Sequence, residues 1–480
     1  MGGHIKEYDA IVIGAGLAGL SCANALLNRG KSVCVLEKEP KVGGCQSFFR
    51  RNGFLFESCL HSVAETYDGG PVLAVLKAIG VEPPSFVRLD PAFCYVFPDR
   101  TFAVPQEMRD QKDSLKREFP EEAAGIDQLF DRMDRIYDGL GKLPEVTPPV
   151  AENVGLVFQD LLDKFLTDGK LKAVISGFWG YLGIPPSKAS SLVLSGFNAS
   201  IGNHGNFFPR EGVLGILTPL RNGILSRGGK IFTNAKVSKI IVGDGKAEGV
   251  ILESGEFVRG NAVISNVDAL TTFFGMAGEQ HLPAAFSERL RGLEPTLSAL
   301  SVYLGIRNDV PLPGNLSVAN LVYPGYDMER QYEAIRRVEI EEMPYALSIP
   351  TFVNPSVAPP GHHIVSLFMA VPYGLPDGAS WREKKDEFTD RFIRVAEKAI
   401  PGLRSRIVVK ESATPDTLVR YTGNRFGAVG GWDYTPASIA NRPVNRSPIE
   451  GLWLTGHWTV PGVGIHGAIQ SGWITASMIP

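Results

Sequence analysis

The hexapeptide Gly14-Ala15-Gly16-Leu17-Ala18-Gly19 constrains the fold more than any other stretch of the chain. It follows an apolar, β-branched run at residues 10–13 and precedes Leu20, Ala23, Leu26 and Leu27 at helical spacing, which predicts strand, tight turn and helix. A second apolar run at residues 33–36 completes the β-α-β unit and ends on Glu37, placed to hydrogen-bond a ribose. Gly14 permits the turn, Gly16 lets a pyrophosphate approach the backbone, and Gly19 allows close helix–strand packing. The phosphates then sit at a helix N-terminus, where N–H groups and the helix dipole favour negative charge. An adenine dinucleotide site is the expectation.

Downstream, "KEPKVGGCQSFFRRNGFLFES" adds Lys38, a short spacer, Gly43-Gly44 and Cys45 after the ribose acid. This resembles the extended FAD fingerprint of the glutathione-reductase-like flavoproteins, and the resemblance implies FAD rather than NAD. Further along, "FPREG", a helical pattern with Ile216, Leu217, Leu220, Ile224 and Leu225, turns at Asp244-Gly245 and Ser254-Gly255, and "SNVDA" follow in order. With "GHWTVPGVGIHGAIQSGW" near the end, the chain is similar to the phytoene desaturase, carotenoid isomerase and retinol saturase family of FAD-dependent oxidoreductases, within the flavin amine oxidase-like superfamily. The resemblance implies that the Val237 backbone meets the adenine. It also implies that Gly456, His457, Gly464, Ile465 and His466 lie at the flavin end. The family carries Asp where His457 stands; a histidine there can donate to the same ribityl hydroxyl or pyrophosphate and makes the contact titratable.

Cofactor motifs occur at the start, the middle and the end, so the resemblance implies an α/β fold with a discontinuous glutathione-reductase-like FAD-binding Rossmann domain, residues 5–74, 209–289 and 413–480. An α+β substrate domain, a mixed sheet covered by helices, is inserted as 75–208 and 290–412. The first insertion carries a helical pattern at Val154, Val157, Phe158, Leu161 and Phe165; the second alternates apolar and polar residues in "TLSALSVYLGI" and "HHIVSLFMAV". "EVTPPVAEN" and "NPSVAPPGHH" read as loops.

In this family the flavin carries the redox chemistry and the protein supplies an apolar tunnel and orientation. The expected activity is desaturation, saturation or isomerisation of a long apolar isoprenoid or polyene, with hydride exchange at flavin N5 in the first two. Phe178, Trp179 and Tyr181 are the expected lining. His61, in a Cys45/His61 pattern similar to retinol saturase, is a proton donor, a substrate-orienting residue or a packed, hydrogen-bonded structural histidine. Cys59 stands where the family has glycine and is either a thiol at the flavin or a small buried apolar group. His466 is the third catalytic candidate, donating toward flavin or substrate.

Composition narrows the partners. Forty-eight Lys and Arg against fifty-one Asp and Glu, net −3, with no block of one sign, argue against nucleic acid. Five cysteines, odd in number and without paired ligand spacing, read as reduced thiols in a cytoplasmic protein. No apolar run reaches the length of a membrane span, yet a lipid-soluble substrate is best collected at a membrane surface. No metal is expected, since His362-His363 lacks an acid or cysteine companion. The electron donor or acceptor stays open. So do a flavin amine oxidase or protoporphyrinogen-oxidase-like activity and a non-catalytic prenyl-binding role resembling the Rab escort proteins.

Overall fold

The computed structural model describes residues 6–462 and 464–480. β1 (Lys6–Ile13), α1 (Leu17–Asn28) and β2 (Val33–Leu36) form the expected unit, with β1 and β2 parallel. β1 is flanked on its other side by Phe257–Ser265, β2 by Lys230–Phe232, and Leu452–Leu454 adds to Phe257–Ser265, all parallel. Successive β1 residues point to opposite faces. Ala10 and Val12 pack into the cluster containing α1, while Ile11 and Ile13 pack into the cluster containing the hairpin Val237–Gly243 and Lys246–Leu252. Burial on both faces explains why the strand is continuously apolar.

α1 is buried at every position except Asn28, as a helix apolar all round must be. Its partner is the C-terminal helix Gly464–Met478. The two approach closely because Gly472 has no side chain: a Cβ there would lie 2.7 Å from Ser21 Cβ, and Ser21 Oγ donates to the Ile469 carbonyl oxygen at 2.8 Å.

A second seven-stranded sheet runs in the order Ile407–Ala413, Ser298–Arg307, His362–Val371, Tyr345–Ser348, Ala319–Val322, Phe93–Val96, Thr101–Val104. It is mixed, with one parallel pair between Ala319–Val322 and Phe93–Val96. Its strands come from two separate stretches of chain. Helices Ala123–Leu140, Phe158–Phe165 and Ser191–His204 form a further apolar cluster beside it. Leu60, Val63 and Ala64 pack in one apolar cluster with residues of both sheets.

Two local expectations change. The helix expected from Val154 begins only at Phe158, because Val157 N–H is taken by Asp160 Oδ2 at 3.1 Å, and Val154 is exposed. The loop "EVTPPVAEN" contains a one-turn helix, Pro148–Ala151, started by a proline at its first position. Among the described residues no helix is long and apolar enough to cross a membrane.

Candidate functional site

Three glycine turns and one buried acid meet at the C-terminal ends of the parallel strands. Gly14 has φ 94, and its N–H donates to the Leu36 carbonyl oxygen at 2.8 Å, which folds the turn back onto β2. Ala15 N–H donates to Glu37 Oε2 at 2.7 Å, and Glu39 N–H to Glu37 Oε1 at 2.9 Å. Gly43 N–H reaches the Ala15 carbonyl oxygen at 2.9 Å, and Gly44 comes so near that a Cβ would stand 3.1 Å from Gly16 Cα. α1 starts at Gly16 without a side-chain cap, and a Cβ on Gly19 would sit on the Gly14 carbonyl oxygen. The result is a cradle of bare backbone at an uncapped helix N-terminus, and a pyrophosphate fits it. A cleft of about 550 Å³ opens alongside, lined by Leu36, Lys38, Phe232, Ala235 and Lys236, with Val237 beginning the next strand. Lys38 also ties this end down, donating to the Arg420 carbonyl oxygen at 2.5 Å.

Residues 17–479 match the family model for flavin containing amine oxidoreductase. The chain belongs to that family. FAD is its cofactor. The chain is 29% identical to prolycopene isomerase, chloroplastic, of Daucus carota, over 99% of its own length and 80% of the relative's. It is 25% identical to all-trans-retinol 13,14-reductase of Homo sapiens, over 99% and 86%. An oxidoreductase from Methanosarcina mazei shares the fold at a TM-score of 0.69 and 20% identity, covering 98% of this chain and 100% of that one.

Asn266, in the loop after Phe257–Ser265, links the glycine cradle to Gly456. Its Nδ2 lies 2.8 Å from where a Gly16 Cβ would stand, and its Oδ1 fills the corresponding place at Gly456. Gly456, at φ 94, donates its N–H to Ser471 Oγ at 2.9 Å, which joins the last strand to the C-terminal helix. Gly464, at φ 86, and buried Ile465 begin that helix; Val463 lies outside the described residues.

Asn424 organises a second group. Its Nδ2 faces the Ala428 carbonyl oxygen at 2.9 Å, His457 Nε2 at 3.3 Å and, more distantly, Cys45 Sγ at 3.8 Å, while its Oδ1 accepts from Trp458 Nε1 at 3.1 Å. With Nε2 of His457 as acceptor, the ring carries its proton on Nδ1. Burial, and then Arg442, push the His457 pKa down to about 4. His457 therefore stays neutral near pH 7, and the titratable contact expected of it shifts well below that range. Burial pushes the Cys45 thiol up to about 11 and the Cys59 thiol up to about 12, so neither is a thiolate at neutral pH. Cys59 acts here as a small apolar group.

His61 is buried, and Tyr181 Oη meets its Nδ1. Burial holds its pKa at about 4, so it is a neutral ring near pH 7 whose Nδ1 shares a hydrogen bond with the Tyr181 hydroxyl. The same ring lies edge-on to Phe368, at 5.8 Å between centroids. Tyr181 stacks on Phe178 at 5.2 Å, and Phe178 on Phe197 at 3.3 Å. Trp179 points elsewhere: it is fully buried and packs on Tyr323. Sequence reasoning missed Asn266, Asn424 and Phe197. "SNVDA" and "TGNRFG" carried a signal for the first two; Phe197 lies in a helix with nothing to distinguish it.

Proposed function

We propose that the protein is an FAD-dependent oxidoreductase acting on carbon–carbon bonds of a long apolar polyene of isoprenoid type, as a desaturase, saturase or isomerase. The aromatic wall of Phe178, Tyr181, Phe197 and Phe368 around the neutral His61 carries this reading. It offers extended π surface made of neutral side chains, which suits a hydrocarbon. The names of the carotenoid and retinoid relatives support the same class.

Bound FAD supplies two-electron exchange with carbon. Gly14 to Gly19, Gly43 and Gly44 hold its pyrophosphate, Glu37 and Lys38 its ribose side, and Gly456, His457 and Gly464 to His466 its flavin end. His61 and Tyr181 orient the substrate chain, and Cys59 keeps the segment beside them apolar and dry. His466 exchanges a proton with the substrate. We also propose that substrate enters from a lipid surface through the helical insertion, where Leu143, Val146, Val154 and Leu156 are exposed.

The test is anaerobic incubation of the flavoprotein, oxidised and separately reduced, with carotenoid precursors, retinoids and prenyl lipids, followed by product mass. Gain or loss of two hydrogens assigns saturation or desaturation, and unchanged mass at a new retention time assigns isomerisation. Inert polyenes together with peroxide release from amines in air would overturn the proposal in favour of an amine oxidase.

A further inference from the structure

Glu65 has no part in the cofactor cradle, yet it is held in an unusual state. It is buried and has φ 64; of the other non-glycine residues in the left-handed region, Asn52, Asn234, Asp244 and Phe426 are exposed and the buried one, Val338, is apolar. A non-glycine residue in that conformation costs on the order of 1 kcal/mol, and such strain concentrates at functional sites. The backbone is fixed by Val72 N–H, which donates to the Glu65 carbonyl oxygen at 3.3 Å. One carboxylate oxygen, Oε1, accepts from Tyr137 Oη at 2.9 Å and from Ser200 Oγ. Among the described residues Oε2 has no hydrogen bond, and no lysine or arginine pairs with the carboxylate.

The surroundings connect this carboxylate to both halves of the site. Val72 lies in the first turn of helix Pro71–Ala78, which packs along the C-terminal helix, and His466 stands in the first turn of that C-terminal helix. His466 is half-buried and has no hydrogen-bond partner among the described residues. Burial lowers its pKa, and the Glu65 carboxylate acts on it in the opposite direction. On the other side, Ser200 follows Phe197 by three residues on helix Ser191–His204, so the two share a face. The helix that donates to Glu65 thus also supplies Phe197 to the aromatic wall. The remaining titratable groups are the phenols of Tyr67 and Tyr137, both raised by burial and by Glu65, and His204, stacked on Tyr67 at 3.9 Å.

We propose that Glu65 is a positioning residue that, with His466, forms a proton-handling pair between the aromatic wall and the C-terminal helix. This rests on the polyene reading above. In the direction that forms a double bond, one substrate C–H gives its proton to a neutral ring nitrogen of His466. The electron pair left behind becomes the new C=C bond as the neighbouring carbon loses hydride to oxidised flavin. The substrate is oxidised by two electrons, the flavin is reduced by two, and the proton rests on His466. Glu65, little screened and without another cation, stabilises that imidazolium. Saturation runs the same transfers backwards.

The test uses FAD-loaded protein with isotope-labelled histidine, His466 being assigned by its loss in H466Q. The imidazole titration of His466 is followed by NMR in wild type, E65Q and Y137F. In E65Q it moves to lower pH, whereas Y137F, which keeps the carboxylate, stays near wild type. With a polyene that turns over, E65Q slows the flavin half-reaction about a hundredfold, the scale of a lost acid–base contribution, and shifts its pH midpoint the same way. A His466 titration unchanged in folded E65Q overturns the pair. If E65Q does not load FAD, the carboxyl titration of Glu65 is followed by infrared in wild type and H466Q. Coupling is reciprocal, so an unchanged carboxyl there also overturns it. A titration that moves while every polyene is inert upholds the pair and overturns the substrate reading instead.

Discussion

His61 shows how one residue's burial becomes a property of the whole chain. Its ordinary pKa is 6.5, and burial holds it at about 4 in the fold. Between those values the unfolded chain binds the proton more readily than the folded one, so stability rises with pH there. The stabilisation is fully present above pH 6.5 and is lost as pH falls toward 4. At about 1.4 kcal/mol per pH unit, the loss is on the order of 3 kcal/mol. Gln in this position keeps an amide for Tyr181 but does not titrate. The urea stability gap between wild type and H61Q should therefore shrink by most of that amount from about pH 7 to about pH 4. A gap that stays constant would mean His61 takes up its proton inside the fold. The identity of His61 as a candidate was legible in the sequence, but its neutrality was not, because that comes from Tyr181 and Phe368, far away in the chain. The requirements at Gly14 and Gly19 were legible because they are local, a left-handed turn and a Cβ that would meet the Gly14 carbonyl oxygen, whereas the contact of Gly16 with Asn266 was not.

At the scale of elements, α1 matters through its neighbour. The C-terminal helix lies against it at Gly472, where a Cβ would press on the Ala18 carbonyl oxygen and stand 2.8 Å from Cys22 N. Neither backbone atom can swing aside as a flexible side chain would. G472A is expected to cost about 1–3 kcal/mol by overpacking, read as a lower thermal midpoint. Because α1 presents its N-terminus to the glycine cradle proposed to hold the pyrophosphate, and the C-terminal helix carries His466, G472A should also weaken FAD retention on dilution. Loss of stability with FAD retention unchanged would show that the helix pair does not shape the cofactor site. Apolar periodicity made both helices visible in the sequence, while the contact between them was hidden by their separation in the chain. The same periodicity misled at Val154, where an apolar residue at helical spacing lies outside the helix and exposed.

At the scale of the molecule, the order of motifs along the chain led to the expectation of a discontinuous cofactor domain, and the first sheet is built from segments as distant as Lys6–Ile13 and Leu452–Leu454. It could not show which apolar residues remain outside. Leu143 is 52% exposed, Val146 61%, Val154 45% and Leu156 38%. Single exposed apolar residues are ordinary, but here four fall between Leu143 and Leu156, the feature on which the proposed lipid contact rests. The segment is joined to the aromatic wall: Ser191 N–H, at the start of the helix bearing Phe197, donates to the Leu156 carbonyl oxygen at 2.9 Å. A polyene leaving lipid at these residues would meet that helix first. Wild type should therefore sediment with phospholipid vesicles, and joint replacement of Leu143, Val146, Val154 and Leu156 by Ser should weaken this at least tenfold, since each buried side chain contributes about 1.5–3 kcal/mol. Turnover of a detergent-dispersed polyene should survive in the same variant, because the wall is untouched. Equal sedimentation of the two proteins, or its absence from both, would detach substrate entry from this face and leave the aromatic wall to be reached from another.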